Sequence, residues 1–147
     1  VIILVSVLLG LDLSLKYLVS NYLTTVNIID NFFSLTYVLN DGAAFSLFAS
    51  RTYLLILIAL VCLFFIIYEL KNNLDDRVLS LVLAGLLGNF IDRLIDGYII
   101  DYLSFKILGY SYPIFNLADI LIVVGIVIVI IKEILKERGK KDEVRSK

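Results

Sequence analysis

Residues 84–119 read AGLLGNFIDRLIDGYIIDYLSFKILGYSYPIFNLAD, and this stretch decides the fold. An apolar run enters at Ala84. Asn89, Asp92 and Arg93 then appear where it should still lie in hydrocarbon. A mixed polar and aromatic segment follows, and Asn116 and Asp119 open another apolar run. Ionisable groups inside a membrane are costly, so each is a functional candidate by default.

The rest of the chain supports a membrane reading. It has 147 residues, 61% of them hydrophobic, and a mean hydropathy of +0.98. That is too apolar for a soluble domain of this size. The net charge of −1 gives no reason to expect nucleic acid. There is no His, no Met, no Trp and a single Cys. Ser-His and Cys-His nucleophiles are therefore excluded, as is a zinc site built from His and Cys. Cys62 lies within an apolar run and is expected to be an inert packing residue. Carboxylates, amides, Lys, Arg and hydroxyls remain for chemistry, and no metal or cofactor is expected.

A span needs about 20 apolar residues. Four runs meet or approach this: about 1–22, 53–70, 78–95 and 114–131. The first begins at Val1, has no cleavage-site pattern and contains Asp12 and Lys16. It is expected to span rather than to be a removable signal peptide. One membrane-embedded domain, 1–147, is expected, with residues 132–147 as a charged tail. That tail carries seven Lys and Arg against four acids. The positive-inside rule puts it, and with four spans both termini, in the cytoplasm. The two longer connections are then outside. Asp12 and Lys16, Asn89 to Arg93, and Asn116 and Asp119 all fall toward that outer end. In the connections, Phe33–Asn40 alternates apolar and polar residues, as does Tyr98–Phe105. Period two argues for strands, and Asn40-Asp41-Gly42 reads as a turn. The expected class is a mainly α membrane protein, four transmembrane helices with a small extracytoplasmic sheet.

Each polar group has a bland and a functional reading. Asp12 and Lys16, four apart with the acid first, suit an intrahelical pair. They either make the helix tolerable in lipid or support a site. Asn89, Asp92 and Arg93 share one helical face. Arg93 beside Asp92 should keep that acid ionised, so the two read as fasteners near a site. Ala84 and Gly88 form a small-xxx-small pair that lets helices approach. Asn40 and Gly42 mark either a loop returning to the interface or a donor to a bound peptide backbone. Asp101 shares its strand face with Ile99, Leu103 and Phe105, which should desolvate it and raise its pKa. Asp119 is either an ordinary helix-start acid or a reactive one. Together, in a chain without His, Asp101 and Asp119 are the best acid/base pair. Two close carboxyl groups share a proton, so one can activate water while the other protonates.

These residues resemble the lipoprotein signal peptidases (signal peptidase II) of bacteria. The resemblance runs in order along nearly the whole chain. It includes Asp12 and Lys16, then Asn40, Gly42, Ala43, Ala44 and Phe45. Gly88, Asn89, Asp92 and Arg93 follow, then Ile99-Ile100-Asp101-Tyr102, and last Phe115, Asn116, Ala118 and Asp119. Leu13, Ala84 and Ile120 depart from the commoner family residues without touching the acid pair. The resemblance implies four transmembrane helices with a β-cradle. It also implies a membrane aspartic endopeptidase that removes the signal peptide of a prolipoprotein just before its diacylglyceryl-modified cysteine, at a lipobox. It makes Asp101 and Asp119 catalytic. Asn40, Gly42, Asn89, Arg93 and Asn116 become substrate-binding or site-ordering, and Asp12, Lys16 and Asp92 supporting. It implies membrane lipid and globomycin-type inhibitors as partners, a bacterial cytoplasmic membrane, a site toward the outer face, and nothing beyond a monomer. Two other readings compete. A small transporter or channel subunit would use the polar cluster as an ion path, and would spread polar residues through the full membrane depth. A structural assembly protein would need neither acid.

Overall fold

The computed structural model describes residues 1–42, 51–72 and 76–145, with residues 142–145 as backbone alone. Four long helices and four strands follow in the order α1 (Ile2–Tyr22), β1 (Val26–Ile29), β2 (Phe33–Asn40), α2 (Thr52–Asn72), α3 (Arg77–Asp96), β3 (Ile99–Ile107), β4 (Tyr110–Ser111) and α4 (Leu117–Arg145). α1, α2 and α3 are each long and apolar enough to cross a membrane. α4 joins the apolar stretch 120–131 to a charged end.

The helices bury different amounts of surface. α1 buries Val5, Asp12, Lys16 and Val19, which fall in one narrow stripe at 3.6 residues per turn. α2 buries only Leu55, Leu63 and Leu70. Cys62 lies off that stripe and is exposed, so the expected packing role is not what the fold gives it. α3 is the central element. Asp76 caps its start, accepting from the Val78 and Leu79 amides at 2.8 and 3.3 Å. Gly97 ends it in the left-handed conformation (φ 82°), its N–H on the Arg93 carbonyl. A Cβ on Gly85 would meet the Ala118 carbonyl and Ile122, and one on Gly88 would meet the Asp12 carboxylate. The small-residue stripe thus brings both α4 and α1 against α3. Val5, Ala84 and Leu121 form the apolar centre where the three meet.

The strands form one antiparallel sheet in the order β1-β2-β3-β4. Phe33–Asn40 is a strand over the whole expected range, and the second alternating stretch is β3. Asn40 pairs with Ile99 and Val38 with Asp101. Phe105 stacks between Phe33 (4.6 Å) and Phe115 (5.7 Å). The fourth run departs from expectation at its start. Phe115 exchanges backbone hydrogen bonds with Leu103, 2.8 and 3.2 Å, as an isolated bridge. Its backbone is committed to the sheet, so α4 begins at Leu117 rather than near 114. At its other end the helix runs through the charged segment to Arg145.

Candidate active site

The start of α4 is a capping box. Asn116 Oδ1 accepts from the Asp119 amide at 3.0 Å, and Asp119 Oδ2 accepts from the Asn116 amide at 3.2 Å. The two amides between them are met by other elements. The Leu117 amide donates to the Tyr102 hydroxyl of β3 at 3.2 Å. The Ala118 amide donates to Asp12 Oδ1 of α1 at 2.9 Å. An α-helix leaves its first amides without internal partners. Here three elements supply those partners, and in doing so set where Asp119 stands.

Asp101 lies across from this turn on β3 and is 2% exposed. Its Oδ1 accepts from Asn116 Nδ2 at 2.7 Å and its Oδ2 from Asn40 Nδ2 at 2.8 Å. Asn40 is itself oriented by the Gly42 amide, which donates to its Oδ1 at 3.0 Å. Burial pushes the Asp101 carboxyl up to about 6, and the nearby Asp119 charge adds to the rise, while the two amides oppose it. The strand-face argument for a desolvated Asp101 agrees with this.

Lys16 of α1 is the hub of the polar cluster, 2% exposed. Its ammonium contacts Asp12 Oδ2 at 2.8 Å, Asp92 Oδ2 at 2.9 Å and Asn89 Oδ1 at 2.9 Å. The Asn89 carbonyl is thereby turned toward Lys16, and its Nδ2 donates to Asp119 Oδ1 at 2.7 Å. Asn116 Nδ2 also reaches Asn89 Oδ1 at 3.1 Å. The expected fastening of Asp92 by Arg93 is therefore corrected. Adjacent helical residues point about 100° apart and do not face each other, so Asp92 turns to Lys16. Arg93 instead donates from Nη2 to the Gly42 carbonyl at 2.7 Å.

All ten candidate residues thus enter one connected cluster: Asp12, Lys16, Asn40, Gly42, Asn89, Asp92, Arg93, Asp101, Asn116 and Asp119. Ala43, Ala44 and Phe45 lie outside the described residues. Tyr102 was not singled out by the sequence except as the neighbour of Asp101. It is 4% exposed, and burial pushes its phenol up to about 12, so it stays a neutral hydroxyl at the head of α4. A cavity of about 490 Å³ opens beside the cluster. Asn40 and Asp119 supply its polar wall, and Tyr112, Phe115, Ile120 and Val123 are among its apolar lining. Asp119 faces this space directly, while Asp101 sits behind Asn40. Two carboxyl groups that share one proton beside an apolar cavity can activate water against a carbonyl held in that cavity.

The family model described as signal peptidase (SPase) II matches residues 4–135. The lipoprotein signal peptidase of Clostridium acetobutylicum is 43% identical over 123 residues, covering 80% of this chain and 79% of that protein. That of Caldanaerobacter subterraneus subsp. tengcongensis is 38% identical over 134 residues, covering 86% and 90%. Among solved structures, a bacterial membrane enzyme determined by the in meso method superposes with a TM-score of 0.83. It is 28% identical and covers 95% of this chain and 90% of its own.

Proposed function

The chain belongs to the signal peptidase II family, and from that premise we propose that Asp101 and Asp119 are the catalytic pair of an aspartic endopeptidase. The protein is a membrane peptidase that cleaves signal peptides from prolipoproteins. The relatives give no support to an ion path.

Asn116 is the observation that carries the catalytic assignment. One side-chain amide holds Asp101, and the same residue's backbone and carbonyl hold Asp119. Asn116 thus bridges the two carboxyl groups. Asp101 keeps a proton up to about pH 6 and suits the role of proton donor. Asp119 sits in the first turn of a helix, a favourable place for negative charge, and suits the role of base. Water between them loses a proton to Asp119 as it attacks the scissile carbonyl, whose oxygen takes the proton of Asp101. Collapse of the tetrahedral species returns a proton to the leaving amine. Asn40, on the cavity wall, is placed to hydrogen-bond the substrate backbone. Gly42 and Arg93 hold the turn that carries Asn40, and Asn89 and Asn116 order the acids. Asp12, Lys16 and Asp92 support them.

The cut falls just before a diacylglyceryl-modified cysteine, whose acyl chains remain in the apolar space along α4. α4 is the fourth span, both termini face the cytoplasm of a bacterial cell, and the site faces outward as a monomer. Globomycin-type inhibitors would occupy the same cavity. The test is cleavage of a lipidated lipobox peptide by purified Asp101→Asn and Asp119→Asn proteins. Each is expected to lose activity by about a thousandfold or more, as for removal of a group required in the transition state. Cleavage by either at the rate of the unaltered protein overturns the assignment.

A further inference from the structure

The turn between β3 and β4 breaks a local rule. It is a two-residue connection in which Ile107 pairs with Tyr110. Leu108 has φ 51° and Gly109 φ 85°. Such hairpin turns need positive φ at both central residues, and Asn-Gly or Asp-Gly meets that need. Leucine does not, because its Cβ crowds the following carbonyl there, at a cost of roughly 1–2 kcal/mol. Leu108 gains nothing back from packing, since it is 93% exposed. A large apolar side chain held in an unfavourable backbone conformation, with no packing partner among the described residues, points to a contact outside the fold.

Its neighbours indicate what that something is. Ile107, Tyr110 and Tyr112 are 40, 78 and 53% exposed. The apolar surface then continues through Pro113 onto Ile120 and Val123 of α4, which also line the cavity. A strip of apolar and aromatic side chains, interrupted by Ser111, therefore runs from the hairpin tip toward the apolar segment 120–131 of α4. Tyrosines flanking an aliphatic tip match the amphipathic ring placement found at membrane–water interfaces. Lys106, at the strip's edge, has a stem long enough to keep its charge in water.

We propose that the β3–β4 hairpin is a membrane anchor, with Leu108 inserted among the acyl chains of the outer leaflet and Tyr110 and Tyr112 at the headgroup level. The partner is bilayer lipid. The anchor pins the strand that carries Asp101, and the segment that lines the cavity, at the depth where a lipid-linked substrate arrives. The inference rests on the proposed outward topology for the choice of leaflet, and on the peptidase reading only for that last consequence.

The chain has no Trp, so Leu108→Trp creates a single reporter. In vesicles of phosphatidylglycerol and phosphatidylethanolamine, its emission is expected to shift to the blue and to be quenched by lipids brominated on the acyl chains, by about twofold or more. Emission like that of tryptophan in water, unquenched, overturns the proposal. So does a blue-shifted emission that bromine leaves untouched, which would mean burial against protein. Tyr110→Trp serves should Leu108→Trp fail to fold: at the headgroup level its emission is expected to shift to the blue with weaker quenching, and emission like that of tryptophan in water overturns the proposal. Leu108→Asn separates anchoring from folding. Asn suits the turn better, so thermal stability in detergent should hold or rise, while cleavage of a vesicle-borne lipopeptide falls roughly tenfold, the loss expected from withdrawing one leucine from hydrocarbon. Unchanged cleavage in vesicles also counts against the anchor. The quenching result stands or falls whether or not Asp101 and Asp119 are catalytic.

Discussion

α2 and α3 are neighbouring helices of almost equal length, 21 and 20 residues, and both can cross a membrane. They do opposite work. α2 buries three leucines and turns the rest of its surface outward, including Phe64, Phe65 and Tyr68. α3 buries nine residues, among them Asn89, Asp92 and Arg93. In lipid an apolar side chain gains little by leaving the solvent, so packing and polar contacts decide which helix is held firmly. α2 is a wall whose composition is all that matters. α3 is a scaffold whose individual positions matter, because its small residues admit α1 and α4 and its polar residues find partners on both.

Four substitutions or conditions sharpen that contrast. The largest effect is expected from Lys16→Met, which leaves Asp12 and Asp92 facing each other without their shared cation. Removing one partner from a buried ionic cluster costs about 3–5 kcal/mol. Unfolding in detergent should register this, and cleavage should be lost with it, since Asn89 loses what orients it. Next comes Gly88→Ala. Its new Cβ would meet the Asp12 carboxylate, and overpacking of this kind costs about 1–3 kcal/mol. The thermal midpoint should fall, with a larger fall in kcat than in KM because the Asp12 cap on α4 is displaced.

A graded effect is expected of pH. Asp101 stands at about 6 in the folded protein against 3.8 ordinarily. The folded state therefore takes up this proton first as pH falls. Stability should rise between about pH 6 and 4 and be lost again as pH climbs through 6. Asp101→Asn should flatten that part of the curve of thermal midpoint against pH. Smallest of all is Cys62→Ala on the outward face of α2. Its effect should stay within about 0.5 kcal/mol, and cleavage should match that of the unaltered protein. A large loss there would make α2 a scaffold too.

The sequence showed most of what depends on neighbours along the chain. α1, α2 and α3 lie within two residues of their expected limits, because an apolar run of set length needs no tertiary partner to be read. β2 was legible from its alternation. β1, with the four exposed residues Val26–Ile29, and β4, with two, carry no such pattern. The start of α4 was misplaced because Phe115 pairs with Leu103, a contact that periodicity does not encode. The residues of the polar cluster were legible, but their partners were not. Lys16 meets Asn89 across 73 positions and Asp12 meets Ala118 across 106. Adjacency in sequence instead suggested Arg93 for Asp92, whereas Asp92 contacts Lys16 and Arg93 the Gly42 carbonyl. The role of Tyr102 had no sequence signal beyond its place next to Asp101.

The three-way capping of α4 has a consequence for synthesis. The chain is made from its amino end, so α1 is in place long before α4 emerges. The first turn of α4 has its amide partners on α1, on β3 and on Asn116, so it closes only when the last helix has met the first. A chain made only through β3 holds Asp101 but not Asp119. If the proposed pair is the catalytic one, proteolytic competence is acquired in that one late step.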